Sequence, residues 1–338
     1  MNGSDIRRER DGLMDKTALR EFIENRTGGC RILVVGDVML DTYFYGEVTR
    51  ISPEAPVPVT HVIRQKDTLG GAANVAHNLA LLGCKTYLAG FVGKDHHCDS
   101  LLEKLNARGI DSAGLIRTEA PTTTKIRVIG GHQQMLRLDF EDASPVAEGY
   151  ADELQTYVAK KLKEGLDVLI ISDYGKGACT ESVCRGIIEL SRPYGVPVIV
   201  DPKGIHWQKY AKADYITPNL KEVNQVLSEP IANRDPEIER AARYITKTFD
   251  IRHVLATRSE CGLSLAMEDH VKHIPTKAQE VFDVSGAGDT VIAVFALALA
   301  GGLQPEESAY LANLAASVVV AKLGTYAVSR EELLGVLK

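Results

Sequence analysis

What this 338-residue sequence lacks narrows it first. Its six cysteines (Cys30, Cys84, Cys98, Cys179, Cys184 and Cys261) form no C-x-x-C pair and are too sparse for a disulfide scaffold, so reduced, mostly buried thiols are expected. There is no basic excess. The formal net charge of -6 argues against a nucleic-acid protein, whose affinity comes chiefly from a basic face. No membrane-length apolar run occurs: VIAVFALALAGGL, from Val291, falls short of the roughly 20 residues a span requires and reads as a buried helix. The first 29 residues carry six basic and six acidic side chains, unlike a secretory signal or an acid-poor transit peptide. A cytoplasmic protein with no nucleic-acid or membrane partner is expected. No G-x-x-x-x-G-K-[ST] loop occurs, and no G-x-G-x-x-G follows the first apolar run, so P-loop and dinucleotide-binding readings lose support.

What is present, 45% hydrophobic and 25% charged residues, suits an ordinary protein with a large core. The length fits one α/β domain with an appendage. Residues 1–29 read as a helical N-terminal extension and 30–338 as the main domain. RILVVGDVMLD (31–41) is a continuous apolar run ending in carboxylates, the pattern of one buried parallel strand. GGAANVAHNLALLG (70–83) shows helical spacing behind a glycine pair, and TYLAGFVG is the next strand. Helices near 98–108, 180–192, 236–248, 290–301 and 306–322 alternate with strands at 167–173, 196–202, 213–219 and 253–258. That alternation predicts an α/β fold with a mostly parallel sheet covered on both faces. Segments 42–68 and 121–140, rich in Thr, Val, Tyr and Ile, break the rhythm. They predict a small β-sheet lid at the carboxyl ends of the main strands, where such sheets bind ligands.

The chemistry concentrates in DVSGAGDT (283–290), before the last strongly apolar helix. Gly286 and Gly288 let the backbone bring its amides against a ligand, and amides at a helix N-terminus suit a phosphoryl group in transfer. Asp289 beside them can accept the proton of an attacking hydroxyl. A glycine turn with an Asp N-cap is the ordinary reading of an isolated G-x-G-D.

GGAAN (70–74), NLKE (219–222) and DVSGAGDT, in this order and approximate spacing, resemble the signature of the ribokinase-like carbohydrate kinase family over about residues 31–330. Val284 stands where the family's terminal motif has Thr, leaving the glycines and the Asp intact. The resemblance implies a three-layer sandwich, ATP and Mg2+, with Asp289 as catalytic base and the amides of Gly286, Ala287 and Gly288 on the transferring group. GDVMLD, ISPEAPVPV, GGAANVAHNLALLG, SDYGKG and DVSGAGDTV further resemble the branch that phosphorylates D-glycero-β-D-manno-heptose 7-phosphate at its anomeric hydroxyl, in lipopolysaccharide heptose synthesis. A kinase for another sugar or sugar phosphate, such as a ketohexose phosphate, is the alternative. Some relatives carry a nucleotidyltransferase domain after the kinase; this chain ends too soon to hold one, and a stand-alone kinase is the expectation.

NLKE supports two readings. Asn219 and Glu222 fit a capping box, with Pro218 able to open the helix. The resemblance implies instead that Asn219, Leu220, Lys221 and Glu222 serve the ATP phosphates, with Mg2+ held at Glu222 through water. It also places nucleotide phosphates near Thr257, Arg258 and Gly262, adenine near Asn313, and in some relatives a monovalent cation, K+, at Asp283 and Ser285. A plain loop and a helix cap are the ordinary alternatives. The implied sugar site is Asp41, Gly70, Gly71 and Asn74, with Asn74 donating to and accepting from hydroxyls. A substrate phosphate needs cations: Lys176 in SDYGKG first, Arg137 second, then Lys125, Arg127 and Lys203. His96 and His97 have no third ligand nearby in sequence and suggest a surface turn. Tyr43, Phe44 and Tyr45 are expected to pack the lid or join a homodimer, since relatives often pair through such lids.

Overall fold

A computed structural model describes residues 15–131, 133–277, 281–322 and 324–337. The chain enters through α1 (Lys16–Glu21), which continues as a π-helical turn over Phe22–Arg26. There follow β1 (Arg31–Gly36), β2 (Val38–Ile51), β3 (Pro58–Gly71), α2 (Ala72–Leu81), β4 (Lys85–Val92), α3 (His96–Asn106), β5 (Asp111–Arg117), β6 (Thr124–Gly130) and β7 (Gln133–Phe140). Next come α4 (Glu148–Glu164), β8 (Val168–Ser172), α5 (Glu181–Ser191), β9 (Val198–Asp201), β10 (Tyr215–Ile216), α6 (Leu220–Val226), α7 (Asp235–Phe249) and β11 (His253–Thr257). Last are β12 (Leu263–Ala266), β13 (Val271–Ile274), α8 (Ala287–Ala300), α9 (Pro305–Val319) and α10 (Arg330–Val336).

Nine strands form the main sheet in the order β13, β12, β11, β10, β9, β8, β1, β4, β5, parallel from β11 to β5 and antiparallel at β12 and β13. In β1, Ile32 and Val34 join the core on one face while Leu33 and Val35 join the core on the other. Alternating contacts on a strand buried from both sides explain why it reads as unbroken apolar sequence. α8 is likewise enclosed: every residue from Asp289 to Ala298 is at most 4% exposed. Leu19, Phe22 and Ile23 are buried in the same core, and the Phe22 ring fills the space a side chain at Gly301 would need. Residues 1–14 lie outside the described residues.

The 31–41 run is two strands rather than one. β1 ends at Gly36, and β2 starts at Val38 in the second sheet, ordered β3, β2, β6, β7. Asp37 makes the corner: its N–H bonds Ser172 O at 3.0 Å, and its carboxylate takes the N–H groups of Tyr174, Lys176 and Ala178. Elements that the sequence reading does not mark, the 17-residue α4 and the shorter β5, β12, β13 and α10, complete the layers.

Candidate active site

Asp289 lies in the first turn of α8, at N3 rather than at the N-cap, which is Gly286 with φ +81°. The left-handed conformation there favours glycine. The Asp289 carboxylate is 4% exposed and held by two donors: Asn74 Nδ2 on Oδ2 at 2.7 Å and the Tyr174 hydroxyl on Oδ1. Burial pushes its pKa up to about 6, against the pull of those hydrogen bonds and of Lys125; the Asp41 charge adds to the rise. α2 supplies Asn74 because a second hydrogen-bonded tier locks the two helices together: Asn78 Nδ2 donates to Asn74 O at 2.9 Å, and the Thr290 hydroxyl donates to Asn78 Oδ1 at 3.0 Å. Asn74 thus donates its amide to the carboxylate, where the motif resemblance implies sugar hydroxyls.

Asp41 and the glycine pair line the same end of the cleft. Asp41 pairs with Lys125 of β6 across the sheet, and its Oδ1 bonds Arg127 Nη1 at 2.6 Å. A Cβ added at Gly70 would collide with Asp41 Oδ2, so glycine is what lets β3 lie against that carboxylate. Gly71, at φ +54°, turns the chain into α2. Register puts Asp41, Lys125 and Asp139 in one cross-strand row and Tyr43, Lys66, Arg127 and Arg137 in the next. Lys176 binds Glu141 at 2.7 Å and Arg137 binds Asp139 at 2.9 Å. Lys125 lies 5.8 Å from the centre of the Tyr174 ring; burial lowers its pKa, with Lys176 and Arg127 pushing the same way. Tyr43 and Tyr45 stack at 6.1 Å. His96 and His97 open α3 behind the N-cap Asp95, rather than forming a turn, with their rings 3.9 Å apart.

Asn219–Glu222 follow the carboxyl end of β10, and Thr257, Arg258 and Gly262 lie at the end of β11 and in the turn after it. Asn219 and Glu222 form a complete capping box, with Pro218 outside the helix. Glu222 Oε1 also accepts from Lys203 Nζ at 3.0 Å. Leu220 and Lys221 occupy the first turn of α6. Thr257 bridges to Asn219. Gly262, at φ +81°, makes the tight turn into β12. Arg258 is 2% exposed, with Nε on Asn233 and Nη1 on Asp235, Ser264 and His273. Those bonds commit its guanidinium to a structural network. Asn313 donates to Pro275 O at 2.7 Å, tethering the segment after β13. Asp283 accepts from the N–H groups of Ser285 and Gly324, tying the glycine-rich turn to the segment after α9.

The charges of Glu222 and Asp289 both act on Asp201, at the end of β9. The Asp201 pKa is driven well above the usual carboxylate range by burial, then by the charges of Glu222 and Asp289, with Lys203 offsetting part of the rise. Asp201, Tyr174 and Asp37 escape sequence reading. A carboxylate after VIV or an aromatic in a glycine loop has an ordinary turn explanation; only the fold brings Asp201 and Tyr174 to Asp289 and sets Asp37 under the Tyr174 loop.

The doubly covered sheet and β lid are those of ribokinase-like proteins. Arabidopsis thaliana ribokinase, solved with ribose and ATP, superposes with a TM-score of 0.72 at 22% identity over 91% of this chain and 99% of that one. Escherichia coli phosphofructokinase-2, solved with substrates and products, gives 0.74 at 18% identity over 91% and 98%. At the sequence level, residues 31–332 match the pfkB family carbohydrate kinase pattern. The chain belongs to that family and is a carbohydrate kinase. It is 45% identical over 312 residues to the bifunctional protein HldE of Magnetococcus marinus, and 44% identical over 304 residues to that of Hahella chejuensis. These alignments cover 90% of this chain but 63% and 62% of those relatives.

Proposed function

We propose that the chain transfers the γ-phosphoryl group of ATP to the anomeric hydroxyl of D-glycero-β-D-manno-heptose 7-phosphate, giving heptose 1,7-bisphosphate for ADP-heptose and lipopolysaccharide core synthesis. The observation that carries this reading is one buried carboxylate, Asp289, with Lys125 of the lid acting on it and Arg127 and Arg137 in the neighbouring cross-strand row. The carboxylate suits proton abstraction and the cations suit a substrate that is already phosphorylated. The motifs shared with the heptose-phosphate branch and the likeness to HldE proteins support the sugar.

In this reading the sugar sits against Asp41, Gly70, Gly71 and Asn74, with Lys176 and Arg137 beside Lys125 and Arg127 at its phosphate. The nucleotide lies along Asn219–Glu222, Thr257 and Gly262 towards Asn313. Arg258 acts there only through the loop it braces. Glu222 would hold Mg2+ through water, and the ion would supply neutralisation of phosphate charge; Asp283 and Ser285 are where K+ would bind. The sugar oxygen attacks the γ-phosphorus, its proton passes to Asp289, and the bond to the ADP oxygen breaks, while the Gly286, Ala287 and Gly288 amides face the moving charge.

The protein acts in the cytoplasm in this reading, and among the described residues no helix is long and apolar enough to cross a membrane. Two copies pair through the outer face of the lid, where Leu136, Leu138 and Phe140 are 51%, 41% and 47% exposed. The direct test is a panel of sugars and sugar phosphates with ATP, read by 31P NMR. A new anomeric phosphate on heptose 7-phosphate is expected; turnover of a ketohexose phosphate with none of the heptose would overturn the assignment.

A further inference from the structure

We propose that Tyr174 is a positioning residue for this reaction: its hydroxyl, donated to Asp289 Oδ1, orients the carboxylate that accepts the sugar's proton. The inference rests on Asp289 being the base. Tyr174 and Asn74 take one carboxylate oxygen each. An ionised carboxylate with a donor on both oxygens cannot swing, and each oxygen keeps lone pairs for an incoming hydroxyl. A single donor would leave the group free to rotate about Cβ–Cγ.

Tyr174 is itself held at both ends. Its N–H donates to Asp37 Oδ2 at 2.7 Å, and the same buried carboxylate takes the N–H groups of Lys176 and Ala178, fixing the loop. The Lys125 ammonium sits near its ring face. Among the described residues the Tyr174 hydroxyl has Asp289 as its hydrogen-bond partner. Phenylalanine would fill the same space, so the oxygen is there for the carboxylate.

The groups that face Asp289 are Asn74 from α2, Asp41 from β2, Lys125 from β6, Tyr174 from the loop after β8 and Asp201 from β9. Asp41 raises the carboxyl's proton affinity, while Lys125, Asn74 and Tyr174 lower it against the dominant effect of burial. Burial and the neighbouring Asp289 charge push the Tyr174 hydroxyl well above 10. The hydroxyl therefore keeps its proton at neutral pH and serves as the donor to Asp289. In turnover the sugar's proton goes to a free lone pair of Asp289 as the new O–P bond forms and the bond to ADP breaks; the Tyr174 proton remains on its own oxygen throughout.

The test is the pH dependence of kcat/KM for the sugar at saturating ATP, where the acid limb reports the base. For a folded Tyr174→Phe protein the limb is expected to move up by about one pH unit, with kcat down about tenfold and the KM for ATP unchanged. 3-Fluorotyrosine incorporated at position 174 keeps the shape and strengthens the donor, so its limb should move down. A limb that stays at the wild-type pH in either protein overturns the inference, and the fluorotyrosine protein decides alone if the phenylalanine variant does not fold. Asp289→Asn separates the two readings. An active Asp289→Asn protein removes the base and this inference with it; an inactive one beside an unmoved limb removes only the role of Tyr174.

Discussion

Arg127 Nη1 sits 2.6 Å from Asp41 Oδ1, joining the strand that leaves the core to its lid neighbour. Both side chains are largely buried, and the Arg127 guanidinium also lies 5.2 Å from the centre of the Tyr43 ring. Replacing Arg127 by Met strands the Asp41 carboxylate without its partner and removes a cation from the proposed phosphate pocket. The expected result is a rise of about tenfold or more in KM for the sugar phosphate, about 1.4 kcal/mol, with KM for ATP unchanged. Steady-state kinetics with each substrate varied in turn reads it.

The two glycines of the turn should behave differently. Gly286 needs its left-handed backbone, so Gly286→Ala should cost about 1–2 kcal/mol and lower the melting temperature. A Cβ added at Gly288 meets no atom within 4 Å, so Gly288→Ala should melt like the wild type. Its methyl group would crowd the transferring phosphoryl group, and kcat should fall by about 100-fold, the scale of a displaced reactant.

Asp289→Asn should lower kcat by about 100- to 10,000-fold while leaving ATP binding intact by calorimetry. It should also make the protein more stable at pH 8. A carboxyl raised to about 6 holds its proton more tightly folded than unfolded, so its contribution to stability is full below the unfolded value near 4 and is lost as pH rises through 6. A rise of about 2 pH units corresponds to about 3 kcal/mol carried as strain above pH 7, which the neutral amide relieves. Urea melts at pH 8 and pH 4 should show the gain at the first and its disappearance at the second.

Phe22→Ala should cost about 3–5 kcal/mol, because the ring is 1% exposed and packed over Gly301 at the end of α8. Kinetic constants at 20 °C should be unchanged for the fraction that remains folded. A small loss in urea would mean that this N-terminal segment is not part of the core.

The sheet was legible because parallel strands enclosed on both sides leave long apolar runs, and the two lid segments because they break that rhythm. The corner at Asp37 was not, since apolar sequence continues on either side of it and only three converging N–H groups reveal the turn. Glycine spacing brought Asp289 and the Gly70–Gly71 pair forward. Tyr174 and Asp201 reach Asp289 through the fold, from separate strand ends, and carry no local mark. Arg258 is a cation in a phosphate-like motif whose bonds to Asn233 and Asp235 in the interior the motif does not mark.

β2 and β3 each run for 14 residues, from buried positions beside Asp41 and Gly70 to exposed ones at the tip of the lid. A cover attached by a flexible loop can flap without disturbing what it covers. One that is the outer half of the wall itself is a cantilever. Its bending is concentrated where the pairing slips, between Tyr45 and Gly46 and between Val48 and Arg50, and any load on the tip returns to the root as torque on Asp41. A weight hung on the far end, such as a second copy of the chain, would thus be felt at the sugar as a change of grip.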